Sequence, residues 1–194
     1  MNLLILGLIA FLGIHSARVF AEAPRQALIA RLGPMAWKGL YSLVSLLGLV
    51  LMVQGYGQAR LEPVVVWVPP VGMRHLAALL TLLAFILLAA AYVPGNALKA
   101  RLRHPMTLAV KTWALAHLLA NGNLADVLLF GGFLVWSVLV FRAARARDRL
   151  QPPPALPTRP VALLVCVAAG TLAWAAFAFW AHAALIGVRP FGGA

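Results

Sequence analysis

The sequence predicts an all-α, polytopic membrane protein: a helical bundle of about six transmembrane helices with both termini outside the cytoplasm. Three observations carry that expectation. Hydrophobic residues make up 63% of the 194 and charged residues only 10%, against roughly 25% charged residues in an ordinary soluble domain. The apolar residues gather into stretches near the 20 or so that a helix needs to cross hydrocarbon. Basic residues cluster at the ends of alternate stretches, which marks one side of a membrane.

The first stretch runs from Asn2 to Phe20. Val19-Phe20-Ala21 before Glu22 resembles a leader cleavage site, but no base precedes the stretch and Arg18 closes it. That charge order is the reverse of a signal peptide's, so a retained span is expected. Further spans are expected at about Met35 to Gly57, Arg74 to Val93, Pro105 to Ala120, Leu124 to Phe141 and Pro160 to Val188. The fourth is the weakest, being short and carrying Lys111 and His117, and its alternative is a re-entrant or interfacial helix. Asn121-Gly122-Asn123 then serves as the turn of a helical hairpin with the fifth. The length suits one domain, residues 1–194.

The turns after spans one, three and five hold twelve bases: Arg18, Arg25, Arg31 and Lys38; Lys99, Arg101 and Arg103; Arg142, Arg145, Arg147, Arg149 and Arg159. The opposite side has Arg60, Arg74 and Arg189, and Lys111 lies within span four. By the positive-inside rule the richer side is cytoplasmic, and an even number of crossings follows. The stretch from Arg142 to Arg159, with Pro152-Pro153-Pro154 and Pro157, reads as a charged helix end and an extended linker.

The net charge of +12 would suggest nucleic acid as a partner for a soluble protein. Here the bases flank apolar segments, so the expected partner is membrane lipid and not nucleic acid. The single Cys166 excludes an intrachain disulfide and a cysteine-rich metal site. No Walker loop, GxGxxG, HExxH or GxSxG with its partners occurs. No internal repeat points to a duplicated transporter.

The five histidines are the residues to weigh, because imidazole at membrane depth is costly and is also the commonest ligand for haem iron. His15 lies inside span one beside Ser16, on a face shared with Arg18. His117 lies in span four between Trp113 and Asn121, a stripe that should point into the bundle. For both, the competing reading is a hydrogen bond between helices. His75, next to Arg74, reads as a snorkelling boundary residue. His182, near Trp174, Phe177, Phe179 and Trp180, reads as part of an interfacial aromatic belt. His104 belongs to Arg103-His104-Pro105, a boundary turn whose alternative is a cationic site for an anionic group.

Several blocks carry a family resemblance. They are Gly13-Ile14-His15-Ser16, the run from Trp37 to Ser45, Ala91-Tyr92-Val93-Pro94, His104-Pro105-Met106, the run from Trp113 to Gly122, and the run from Gly187 to Gly192. Together they closely resemble the NnrU family of bacterial membrane proteins, whose members are associated with nitrite and nitric oxide respiration. That family is similar to plant 15-cis-zeta-carotene isomerase, which uses haem b to isomerise a cis double bond in a carotenoid precursor.

The resemblance implies haem b held by His15 and His117 as iron ligands, an apolar polyene as substrate, and the bacterial inner membrane as location. It equally allows a non-enzymatic accessory or assembly factor with a respiratory complex as partner. Ala114 stands where the isomerase has a cysteine, so a thiolate-for-imidazole ligand switch is not implied. The Arg-His-Pro block also resembles isoprenylcysteine carboxyl methyltransferases, but Met106-Thr107-Leu108 lacks the Tyr and Gly that follow it there.

Depth along the helices is a separate criterion. At 1.5 Å per residue His15 lies about 20 Å down span one and His117 about 20 Å up span four, so their levels differ by roughly 10 Å. Depth alone pairs His15 with His104 and His117 with His182. The family pair is the expectation retained.

Overall fold

The computed structural model describes residues 1–191, so Gly192, the last residue of the family-like blocks, lies outside the described residues. Among the described residues the only regular elements are helices, with one isolated β-bridge between Val65 and Asn123. The helices are α1 (Asn2–Phe20), α2 (Glu22–Leu32), α3 (Pro34–Ala59), α4 (Met73–Tyr92), α5 (Ala97–Leu102), α6 (Pro105–Ala120), α7 (Leu124–Leu150), α8 (Pro160–Ala176) and α9 (His182–Ile186). A π-helical turn, Phe177–Ala181, joins the last two. Among the described residues five segments are long and apolar enough to cross a membrane: α1, α3, α4, α7, and the run from Pro160 to Ile186.

Helix boundaries follow from local chemistry. Gly33 takes a φ of 82°, which ends α2, and Pro34 opens α3 at its first position. Proline suits that position because its missing N–H would have no helical partner there. Val93 turns extended before Pro94 and stops α4, as the residue before a proline prefers. Asn96, 1% exposed, accepts from Lys99 N at 2.8 Å and donates to Ala90 O at 2.9 Å. One side chain thereby closes α4 and opens α5. The helix expected to end at Phe141 runs on to Leu150, because its Ala- and Arg-rich tail consists of good helix formers. Neither α2 nor α5 is evident from the sequence, since neither carries an apolar stripe long enough to stand out.

The chain divides into two compact units. The first comprises Met1–Val68 and Asn121–Ala143, the second Pro69–Ala120 and the residues from Ala144 onward. In the first unit α1 lies along α3 at close range. A Cβ on Gly48 would stand 2.7 Å from Phe11 N, and one on Gly7 2.8 Å from Gly48 O. Small residues are what permit such an approach where lipid supplies no hydrophobic drive between helices. Leu4, Leu8, Met52, Ala59 and Ala125 form its core, with Phe11, Tyr56 and Phe133 packed around them.

In the second unit α8 crosses α4 at Gly170, where a Cβ would stand 2.6 Å from Ile86 Cα. One turn earlier Cys166 Sγ donates to Ile86 O at 3.5 Å. Large apolar side chains face outward on the spans, among them Ile9, Leu43, Leu79, Leu164 and Leu172, all 65–70% exposed. Those are lipid-facing surfaces.

At 16 residues, α6 is about 24 Å long, short of a hydrocarbon core of about 30 Å. The loop after α3 is bonded to the turn before α7: Val66 N donates to Gly122 O at 2.8 Å and Leu124 N to Val64 O at 2.8 Å. Trp67 Nε1 adds a bond to Asn121 O at 3.2 Å. Both loops therefore lie together. The six crossings that the loop charges predict would need α6 to return the chain to that end.

Candidate functional site

Both family-matched histidines are held by their own helices in the same way. His15 Nδ1 is 2.7 Å from Phe11 O, and His117 Nδ1 is 2.9 Å from Trp113 O. Since a carbonyl only accepts, Nδ1 is the donor in both bonds. The residue four positions back is aromatic in both cases, and its ring meets the imidazole. Phe11 stacks on His15 with centroids 4.2 Å apart, and Trp113 meets His117 at 5.1 Å.

Around His15 the first unit adds Tyr41 from α3, ring centroids 5.0 Å away, and Trp136 from α7, edge-on at 6.2 Å. The Trp136 indole N–H is buried and finds no acceptor among the described residues. An orphaned donor of this kind is uncommon and costly. Around His117 the helix is closely packed, with Ala114 and Ala116 both fully buried.

Taken singly, each histidine has the geometry that haem ligation, as the family resemblance implies it, would require. A haem-ligating imidazole coordinates through one nitrogen while the other donates to a carbonyl, which fixes ring orientation and raises basicity. His15 and His117 have that second bond in place, and Trp136 offers a donor beside His15. A haem asks for one or two protein ligands; no group of three or more His, Cys, Asp or Glu able to hold a metal comes together among the described residues. His15 belongs to the first unit and His117 to the second.

The remaining histidines are placed differently. His104 Nε2 is 2.9 Å from Asp148 Oδ2, and Arg145 Nη1 lies 3.5 Å from the same oxygen. Its neighbour Arg103 takes a φ of 67° and ψ of −48°, with His104 N donating to Leu102 O at 2.8 Å. That is a strained γ-turn, steadied by Arg103 Nη1 donating to Pro154 O at 2.9 Å. The boundary-turn expectation thus acquires a defined geometry. His75 is exposed at the start of α4. His182 Nδ1 is 2.8 Å from Val188 O, and the ring stands edge-on to Phe177 at 5.8 Å.

The sequence marks His15 and His117, with Trp113 beside the second, but it does not mark Phe11, Tyr41 or Trp136. Phe11 has a signal: among the five histidines only His15 and His117 have an aromatic residue four positions earlier. Tyr41 and Trp136 have none, because they approach His15 only through tertiary packing.

A cleft of about 450 Å³ opens next to His15 where α1, α2 and α3 meet. It is lined by Arg18, Arg25, Trp37, Lys38, Tyr41 and Ser42, with Ile14, His15 and Ala17 as the wall from α1. Arg25 is paired with Glu22 at 3.1 Å and lies over Trp37, 6.0 Å from the ring centroid. The Glu22 carboxyl is held below its ordinary value, first by a hydrogen bond from Gln26 at 2.8 Å and then by Arg25.

An all-α chain that has, among the described residues, five helical segments long and apolar enough to span, with large apolar side chains exposed along them, is a polytopic α-helical membrane protein. The chain belongs to the NnrU family: the family model described as NnrU protein matches residues 3–190. No curated protein and no solved structure matches it.

Proposed function

We propose that this NnrU-family protein is a haem b-binding component of the bacterial inner membrane, with His15 and His117 as the iron ligands and cis–trans isomerisation of a membrane-dissolved polyene as its activity. The observation that supports this reading most is the shared histidine geometry. In each case Nδ1 is committed to a carbonyl 2.7 or 2.9 Å away and an aromatic residue packs on the ring. In the neutral imidazole, Nε2 is then the nitrogen that would ligate iron in each case. Haem bound there would supply a Lewis-acidic, one-electron centre in an apolar medium. The chain's own part is to hold both imidazoles in one tautomer, to offer the Trp136 N–H as a donor, and to exclude water from the site with the core around Phe11 and Phe133.

Purified protein reconstituted with haem b is expected to show a six-coordinate low-spin absorbance spectrum. His15→Ala and His117→Ala should each abolish or convert it, and His75→Ala should leave it unchanged. If wild type takes up no haem, or both variants keep its spectrum, the cofactor reading fails and the two histidines are helix-packing residues. Turnover of a cis-polyene by the loaded protein would support the isomerase. Co-purification with a respiratory reductase without turnover would instead assign an accessory role in denitrification.

A further inference from the structure

The cleft beside α1, α2 and α3 carries more positive charge than its own acids neutralise. Of its three cations, Arg25 is satisfied by Glu22. Arg18 and Lys38 are exposed and make neither a hydrogen bond nor a salt bridge among the described residues. They stand at the last turn of α1 and the first turns of α3, the points at which two membrane spans leave the apolar layer on the same face. Nearby Tyr41 and Ser42 bring hydroxyls to the same cleft. Two cations without a bonded acid, with hydroxyl donors beside them, suit a phosphate group.

The surroundings say where that phosphate comes from. Trp37 and Tyr41 are the residue types that settle at the level of lipid headgroups. Below Ser42, the same face of α3 continues through Leu46, Leu49 and Val53, 59%, 45% and 64% exposed, since residues four and seven or eight apart share a helical face. A ligand with a phosphate in the cleft would therefore lay an apolar tail along α3.

We propose that this cleft binds the phosphate headgroup of an anionic membrane lipid, with Arg18 and Lys38 as its principal contacts and an acyl chain running along Leu46, Leu49 and Val53. His15 lines the same cleft, but the proposal rests on the cleft's cations, and its test leaves His15 intact.

Delipidated protein in a neutral detergent is titrated with dioleoylphosphatidylglycerol, dioleoylphosphatidylcholine or sn-glycerol 3-phosphate, and retention is read by native mass spectrometry. Phosphatidylglycerol is expected to be retained as a one-to-one adduct in preference to phosphatidylcholine. The double variant Arg18→Gln/Lys38→Gln should weaken retention about 25-fold, since each base near an anionic headgroup is worth about fivefold in affinity. Arg18→Lys/Lys38→Arg should keep most of it, and Arg142→Gln/Arg147→Gln all of it. Circular dichroism of each variant confirms that the helices remain. Equal retention of both lipids, or unchanged retention in the Gln double variant, would overturn the proposal. So would glycerol phosphate binding as tightly as the lipid, which would make this a site for a soluble phosphate.

Discussion

Tyr56 Oη donates to Asp126 Oδ1 at 2.5 Å, joining the end of α3 to the first turn of α7 across seventy residues of sequence. Asp126 is 4% exposed, and its other oxygen accepts from Asn123 N at 3.2 Å. One carboxyl therefore caps α7 and anchors α3, in the same place where the loop from Val64 to Trp67 is stitched to Gly122. Tyr56→Phe should cost about 1–2 kcal/mol, because it leaves a buried acceptor short of a partner. Asp126→Leu should cost more, since the cap goes with it. Thermal unfolding in detergent measures both, and a larger loss from Tyr56→Phe would contradict the dual role.

Contact between α1 and α3 depends on the absence of side chains at Gly7 and Gly48. Gly48→Ala places a methyl 2.7 Å from Phe11 N, and backbone cannot move aside cheaply, so a loss of about 2 kcal/mol or more is expected. Gly39, also in α3, has nothing within 4 Å of the point where a Cβ would stand. Gly39→Ala should be neutral or stabilising by up to about 1 kcal/mol through helix propensity. Melting midpoints of the two variants should therefore move in opposite directions or differ widely.

Trp136 separates structural from ligand-related roles near His15. Its N–H is buried without an acceptor among the described residues, so Trp136→Phe removes an unsatisfied donor and should leave the ligand-free protein as stable as wild type, or slightly more so. If that donor serves a bound group, the same variant should weaken haem retention. Paired melting curves with and without haem give the answer: equal haem-dependent stabilisation in both proteins would show that the indole N–H contributes nothing.

Topology is the fourth test. A reporter fused near Gln151 should be active only inside the cytoplasm, and one fused after the last residue only outside it. Since the loop of Val64 to Trp67 and the turn at Gly122 share a face, a reporter in either should match the C-terminal fusion. Opposite results for these two would mean that α6 does not cross.

The sequence alone determined that the chain is a membrane bundle and where most of its spans lie, and its loop charges set the expectation for which side their ends face. Those properties are set by residue type summed over about 20 positions and by bases at the ends, and neither depends on which helices touch. It also marked His15 and His117, because an imidazole in an apolar stretch is visible in one dimension. Only tertiary structure decided that Tyr41 and Trp136 surround His15, that Asp126 meets Tyr56, that Arg18, Arg25 and Lys38 form one cleft, and that the loop from Val64 to Trp67 is bonded to the turn before α7. Contacts between helices in lipid rest on close approach at single small residues and on isolated hydrogen bonds, and their partners leave no periodic trace in the sequence.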